Sequence, residues 1–149
     1  KVETDLGEAL ENSVLYANSN NSDFKLDIAK DLKHIYVDED RLEQVLINLC
    51  DNAVKYNRDS EPIRITAKNV SGRPCVSIVN KTLPIPDDMK EKLFDKFIRM
   101  DSELTRTTRG TGLGLYIVKG LCAAMDIDII LECENDYFNL MLVFNDYVE

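Results

Sequence analysis

The run Asn48-Leu49-Cys50-Asp51-Asn52-Ala53-Val54-Lys55-Tyr56 places two asparagines four residues apart, with a lysine three residues further on. It lies inside a longer segment, Glu39–Asn57, that reads as one helix. Asp38 or Asp40 can cap its start, and acidic residues fill the first turn. At 100° per residue, Leu42, Val45, Leu46, Leu49, Ala53 and Tyr56 form an apolar stripe. Gln44, Asn48, Asp51, Asn52 and Lys55 form a second stripe, roughly a quarter to a third of a turn away. Such a helix buries one face in a core and brings amides and an ammonium to the edge of a cavity. An amide oxygen is a hard neutral ligand suited to magnesium. A lysine one turn further along meets a phosphate as a point charge. A polar flank is also the ordinary state of any amphipathic surface helix, so this helix alone leaves both readings open.

About sixty residues later comes Gly110-Thr111-Gly112-Leu113-Gly114-Leu115. Three glycines at alternate positions allow positive φ and a close approach of backbone to ligand. The apolar segment that follows reads as a helix over 112–125, whose first N–H groups face an anion. The run lacks the Lys-Ser/Thr of a P-loop, and it does not complete a dinucleotide fingerprint. The two runs together, in this order, point to a nucleotide site. A helix supplies polar side chains and a glycine loop wraps the phosphates.

The remaining elements fit a single domain. A helix is expected over 5–18, with Leu6, Ala9, Leu10, Val14 and Ala17 on one face. Strands are expected at Phe24–Ala29 and His34–Val37. Two hairpins are expected, one at Ile63–Val70 and Cys75–Asn80 turning through Ser71-Gly72-Arg73-Pro74, the other at Ile127–Cys133 and Tyr137–Phe144. Asp87–Phe97 reads as a short helix, and residues 99–111 as a polar, glycine-flanked lid. This order predicts a two-layer α/β sandwich, a mixed sheet of about five or more strands covered on one face by about three helices. A length of 149 residues with 44% apolar content suffices for one core. The net charge of -9 argues against nucleic acid or an anionic membrane surface as partner. Cys50, Cys75, Cys122 and Cys133 show no CxxC spacing and read as small buried hydrophobes in a reducing compartment. No apolar run is long enough to span a bilayer, which favours a cytoplasmic setting. A start at Lys1 rather than Met suggests a piece of something longer.

At three places the sequence resembles sensor histidine kinases. Asp40–Tyr56 looks like their N box. Leu93-Phe94-Asp95-Lys96-Phe97-Ile98-Arg99 resembles their F box, and Arg109–Lys119 resembles their second glycine box. The resemblance covers essentially the whole chain. It implies the ATP-binding Bergerat fold of that family's catalytic domain, with ATP and Mg2+ as cofactors. Asn52 would then be the magnesium ligand. Asn48 would lie beside the phosphates, Lys55 would contact them and Tyr56 would lie near the nucleotide. The backbone from Gly110 through Thr111, Gly112 and Leu113 to Gly114, with Leu115 next, would close over the triphosphate. Asn80 and Ile85 would line the base end. Arg99 would steady the γ-phosphate, more so than Arg106 or Arg109. The implied partners are a histidine-bearing dimerisation domain of the same receptor and a response-regulator receiver domain. His34, the only histidine, falls in an apparent strand and is not expected to be the phosphoacceptor.

One box departs from the family pattern. Where Asp-x-Gly-x-Gly is usual, this chain has Asn80-Lys81-Thr82-Leu83-Pro84. The amide of Asn80 still accepts a hydrogen bond, and it can also turn to donate one. It loses the charge assistance of a carboxylate, so restoring aspartate here is expected to tighten ATP binding. Glycine is also missing after the last helix (Met125-Asp126-Ile127) and in the last hairpin (Glu134-Asn135-Asp136). Two other readings follow from these features. The gyrase-type ATPases place a glutamate base where this chain has Asn48. A degenerate kinase-like domain would bind nucleotide weakly or not at all, and would signal through contacts.

Overall fold

The computed structural model describes residues 1–17, 23–82 and 114–149. Its elements, in chain order, are β1 (Val2–Thr4), α1 (Leu6–Ala17), β2 (Phe24–Ile28), β3 (Ile35–Val37), α2 (Glu39–Tyr56), β4 (Ile63–Val70), β5 (Arg73–Lys81), α3 (Gly114–Ala124), β6 (Ile127–Glu134) and β7 (Tyr137–Phe144). Five strands form one mixed sheet in the order β2-β4-β5-β7-β6, with β2–β4 parallel and the other pairs antiparallel. The three described helices pack on one face, α2 between α1 and α3 and directly over β5. The expected two-layer α/β sandwich of the Bergerat type is the observed fold.

Strand alternation explains the core. Ile63, Ile65 and Ala67 of β4 are buried, as are Val76 and Ile78 of β5 and Phe138, Leu140 and Leu142 of β7. Cross-strand register aligns Ile65, Ile78, Leu140 and Leu131 in one row of the inner face. The helix stripe read from sequence meets this face: Leu42, Val45, Leu46, Leu49 and Ala53 are all buried. Asp38 is the cap of α2, accepting a hydrogen bond from the N–H of Arg41 at 3.2 Å. Asp5 does the same for α1, through the N–H of Glu8 at 3.1 Å. Burial pushes the thiols of Cys50 and Cys122 up to about 12, that of Cys50 with added repulsion from Asp51, so both are packing residues.

Several elements differ from expectation. β1 has no alternating pattern that would reveal a strand, yet it pairs antiparallel with β3 in a separate two-stranded sheet. The expected strand at His34–Val37 is β3, one residue shorter and outside the main sheet. The C-terminal tail extends this small sheet through Tyr36 N–H to Asp146 O at 3.0 Å and Val148 N–H to His34 O at 2.9 Å. The first hairpin turns on Ser71 and Gly72 alone, both with positive φ, so Arg73 and Pro74 belong to β5. Pro74 is tolerated because pairing with β7 begins only at Cys75. The expected helix at Asp87–Phe97 and the lid at 99–111 lie outside the described residues.

Core and surface leucines should separate cleanly in urea unfolding. Leu46 is fully buried and Leu15 is 73% exposed. Leu46→Ala is expected to cost about 2–5 kcal/mol and Leu15→Ala less than about 0.5 kcal/mol. Asp38→Ala, which removes the cap of α2, should fall between them at about 1 kcal/mol. Similar midpoints for Leu46→Ala and Leu15→Ala would contradict the burial pattern.

Candidate nucleotide site

Where α2 crosses β5, Leu49, Asn52 and Ala53 of the helix face Ile78 and Asn80 of β5 and Phe138 and Leu140 of β7. These residues line a small pocket of about 20 Å³ that is partly open to solvent. The lining is apolar except for two amides. Asn52 follows the apolar stripe closely enough to be only 8% exposed, and Asn80, at the end of the inward row of β5, is only 4% exposed. Both were singled out from sequence, and the fold brings them to the same cavity from different layers.

Their hydrogen bonding is incomplete. Among the described residues, the Asn52 carboxamide has no partner, and Asn80 has one: its Nδ2 donates to the carbonyl of Lys81 at 3.1 Å. A buried polar group left unmatched costs about 1–3 kcal/mol, so the pairing that the described residues leave open in this cavity is capacity that a ligand could use. The Asn80 contact also fixes which atom is which. A carbonyl only accepts, so the group beside Lys81 O is the NH2, and the remaining atom is the acceptor Oδ1. This contact favours one of the two orientations open to the amide. In that orientation a carboxylate at position 80 would set an oxygen against the Lys81 carbonyl, which works against the tightening expected of Asn80→Asp.

Lys81 is itself held on both sides. Its N–H donates to Asn57 Oδ1 at 3.1 Å. Its carbonyl accepts from the N–H of Arg58 at 3.0 Å. Asn57, the residue that ends α2, also donates through Nδ2 to Glu61 O at 2.6 Å. The Lys81 ammonium lies 3.2 Å from Asp59, and that hydrogen bond and charge raise its pKa. Thr82 replaces a family glycine without positive φ, and its N–H donates to Asp136 O at 2.7 Å. The segment after Asn80 is thereby tied to the β6–β7 hairpin.

The other expected residues are placed as follows. Asn48 is half-buried on α2, one turn before Asn52, and does not line the cavity. Lys55 is exposed, with its ammonium 5.3 Å from the ring centroid of the half-buried Tyr56. Gly114 and Leu115 open α3. Ile85, Arg99, Gly110, Thr111, Gly112 and Leu113 lie outside the described residues. His34 is not in the cavity; its Nδ1 lies 3.0 Å from Glu3 Oε2 at the small sheet. Sequence reasoning missed Ile78, Phe138 and Leu140 as lining residues, although alternation along both strands puts them on the inner face. It also missed Asn57, for which a helix-ending asparagine was the sole signal.

The chemistry of Asn52 fits a magnesium ion. A neutral amide oxygen that no described residue engages is a suitable single ligand for a cation that keeps several waters and phosphate oxygens. Among the described residues there is no cluster of three His, Cys, Asp or Glu that would hold a metal by itself.

Known proteins share this fold. The family model described as "Histidine kinase-, DNA gyrase B-, and HSP90-like ATPase" matches residues 37–140, from the lead-in to α2 into β7. Sensor histidine kinase YkoH of Bacillus subtilis is 36% identical over 107 residues, 72% of this chain and 23% of that protein. Signal transduction histidine-protein kinase ArlS of Staphylococcus haemolyticus is 30% identical over 122 residues, 81% of this chain and 27% of that protein. The chain thus spans about a quarter of the length of these relatives. The catalytic domain of histidine kinase ThkA superposes with a TM-score of 0.76 at 28% identity, over 96% of this chain and 93% of that one. A shared fold, a family match over most of the chain and the two amides in one cavity agree: the chain belongs to the histidine kinase-, DNA gyrase B- and HSP90-like ATPase family, as a catalytic and ATP-binding domain of the sensor histidine kinase type.

Proposed function

We propose that this chain, residues 1–149 as one domain, binds Mg-ATP and transfers the γ-phosphate to a histidine on a separate dimerisation domain, for relay to a response-regulator receiver domain. The observation that carries the reading is the pair of buried amides, Asn52 and Asn80, with unmatched hydrogen-bonding capacity in one apolar-walled cavity. The base sits in that cavity, and Asn80 Oδ1 accepts from it. Asn52 holds magnesium, which neutralises phosphate charge. Asn48 and Lys55 continue along α2 beside the phosphates, Tyr56 lies near the nucleotide, and the Gly110–Gly114 backbone with Leu115 closes over them. Ile85 belongs to the base end and Arg99 to the γ-phosphate.

In the transfer, a neutral imidazole nitrogen of the partner attacks the γ-phosphorus through its lone pair. The bond from that phosphorus to the bridging oxygen breaks, ADP leaves with the electron pair, and the proton on the other imidazole nitrogen is released to solvent. The nucleophile needs no carboxylate base from this chain, which agrees with Asn48 standing where a hydrolytic relative has glutamate. Positioning and charge neutralisation supply most of the catalysis. A cytoplasmic setting, where ATP is plentiful, follows from this reading. The alternative, a degenerate interaction module, draws on the replaced glycine box at Thr82 and Pro84, and nucleotide titration separates the two.

Asn52→Ala is expected to weaken ATP binding roughly tenfold or more in magnesium, the loss of one oxygen ligand, and to change it much less in EDTA. Calorimetry on both proteins in both buffers checks this. Equal affinities in magnesium would remove Asn52 from the metal site.

Incubated alone with γ-labelled ATP, the chain should acquire no acid-labile phosphate, because His34 is paired with Glu3 away from the cavity. Supplying a histidine-bearing helical domain from the same receptor should put label on that domain. Label on His34 instead would refute the division of roles.

A further inference from the structure

The base end of the cavity is set by residues that never touch it. The amide of Asn80 carries two groups of opposite polarity, and which one faces a ligand decides what the cavity reads. Its orientation is fixed by the Lys81 carbonyl, which is 3.1 Å from Nδ2. That carbonyl is in turn placed by the end of α2. Asn57 Oδ1 takes the Lys81 N–H at 3.1 Å, and the Arg58 N–H takes the Lys81 carbonyl at 3.0 Å. Asn57 is braced from behind by its 2.6 Å hydrogen bond to Glu61 O. One side chain therefore ties the helix that carries Asn52 to the strand that carries Asn80.

We propose that Asn57 is a positioning residue that sets base specificity: by holding Lys81 it locks the Asn80 amide with its acceptor toward the ligand, so the cavity selects a purine bearing an exocyclic amino donor over one bearing an oxo group. The inference rests on the ATP-binding reading above and assigns the selectivity to a residue outside the cavity. The chemistry is a matter of matched and mismatched pairs. An amino group at the purine 6-position donates to Asn80 Oδ1. A 6-oxo group would place two acceptors face to face, with both left unpaired in a buried site. A free amide would escape that mismatch by turning over, and then the two purines would bind alike. The clamp is what denies it the turn.

The test measures affinities for ATP and for ITP, its 6-oxo counterpart, by calorimetry in magnesium on the 149-residue chain and its variants. Circular dichroism melts report whether each variant is folded. The wild type is expected to prefer ATP. Asn57→Ala should narrow the ATP-to-ITP preference by roughly three- to tenfold, chiefly by improving ITP, a change in ratio that general loosening of the fold would not produce. Asn57→Asp keeps an acceptor for the Lys81 N–H but sets an oxygen against the Glu61 carbonyl, so it should retain only part of the wild-type preference. Asn80→Asp, an independent variant, should lower ATP affinity because its oxygen opposes the Lys81 carbonyl. A folded Asn57→Ala with the wild-type ratio overturns the proposal, as does an Asn80→Asp that tightens ATP several-fold. A wild type that binds neither nucleotide overturns the ATP-binding reading and the proposal with it, whereas ATP binding with an unchanged ratio in Asn57→Ala overturns the proposal alone.

Discussion

The packing of α2 across β5 is the contact from which the rest of the molecule takes its geometry. The helix buries Leu42, Val45, Leu46, Leu49 and Ala53 against the inner face of the sheet, with α1 and α3 on its two flanks. Those side chains fix its rotation about its own axis. A helix rotated by one residue would swing about 100°, taking Asn52 out of the cavity and an apolar stripe into water. The site therefore needs no separate device to aim Asn52. The same apolar burial that stabilises the domain presents the amide, and the end of the helix then grips Lys81 to complete the opposite wall.

The chain does without glycine at several places where its family has it, and the backbone shows how. Asp126 follows α3 with φ 58, and Asn135 and Asp136 turn the last hairpin with φ 51 and 65. Asparagine and aspartate are the non-glycine residues that enter the left-handed region most readily, because their short polar side chains bond locally. The missing glycines there are replaced in kind. At Thr82 the solution is different. The residue does not have positive φ, and its N–H donates to Asp136 O at 2.7 Å, one hydrogen bond beyond the β5–β7 ladder.

Patterns of period 3.6 and 2 made most of this fold legible. The stripes of α1 and α2 and the alternation in β4 to β7 each bury one face against a thick apolar layer, so the sequence there has a single consistent solution. β1 and β3 were harder. They are three residues each, and they pair with one another and with the C-terminal tail, contacts between the two ends of the chain that no local pattern encodes. In the cavity, Asn52 was legible as an amide beside the apolar stripe of α2, and Asn80 through the family resemblance. The role of Asn57 was not, since it acts through main-chain groups of Lys81, and any residue has those. The preferred orientation of the Asn80 amide was hidden for the same reason, its partner being a backbone carbonyl.

An asparagine at position 80 is the better physical match to its surroundings than the carboxylate its family uses. At 4% exposure an ionised aspartate would need compensating donors. The main-chain group that its side chain bonds is an acceptor, the Lys81 carbonyl. The nearby ammonium of Lys81 is already engaged by Asp59 at 3.2 Å. A neutral amide resolves the conflict by donating to the carbonyl at one end, and in the proposed site its other end would accept from the ligand. It gives up the charge assistance of a carboxylate, and it gains an orientation that the protein itself enforces. Because an amide does not titrate, the acceptor it offers is the same at every pH at which the fold persists.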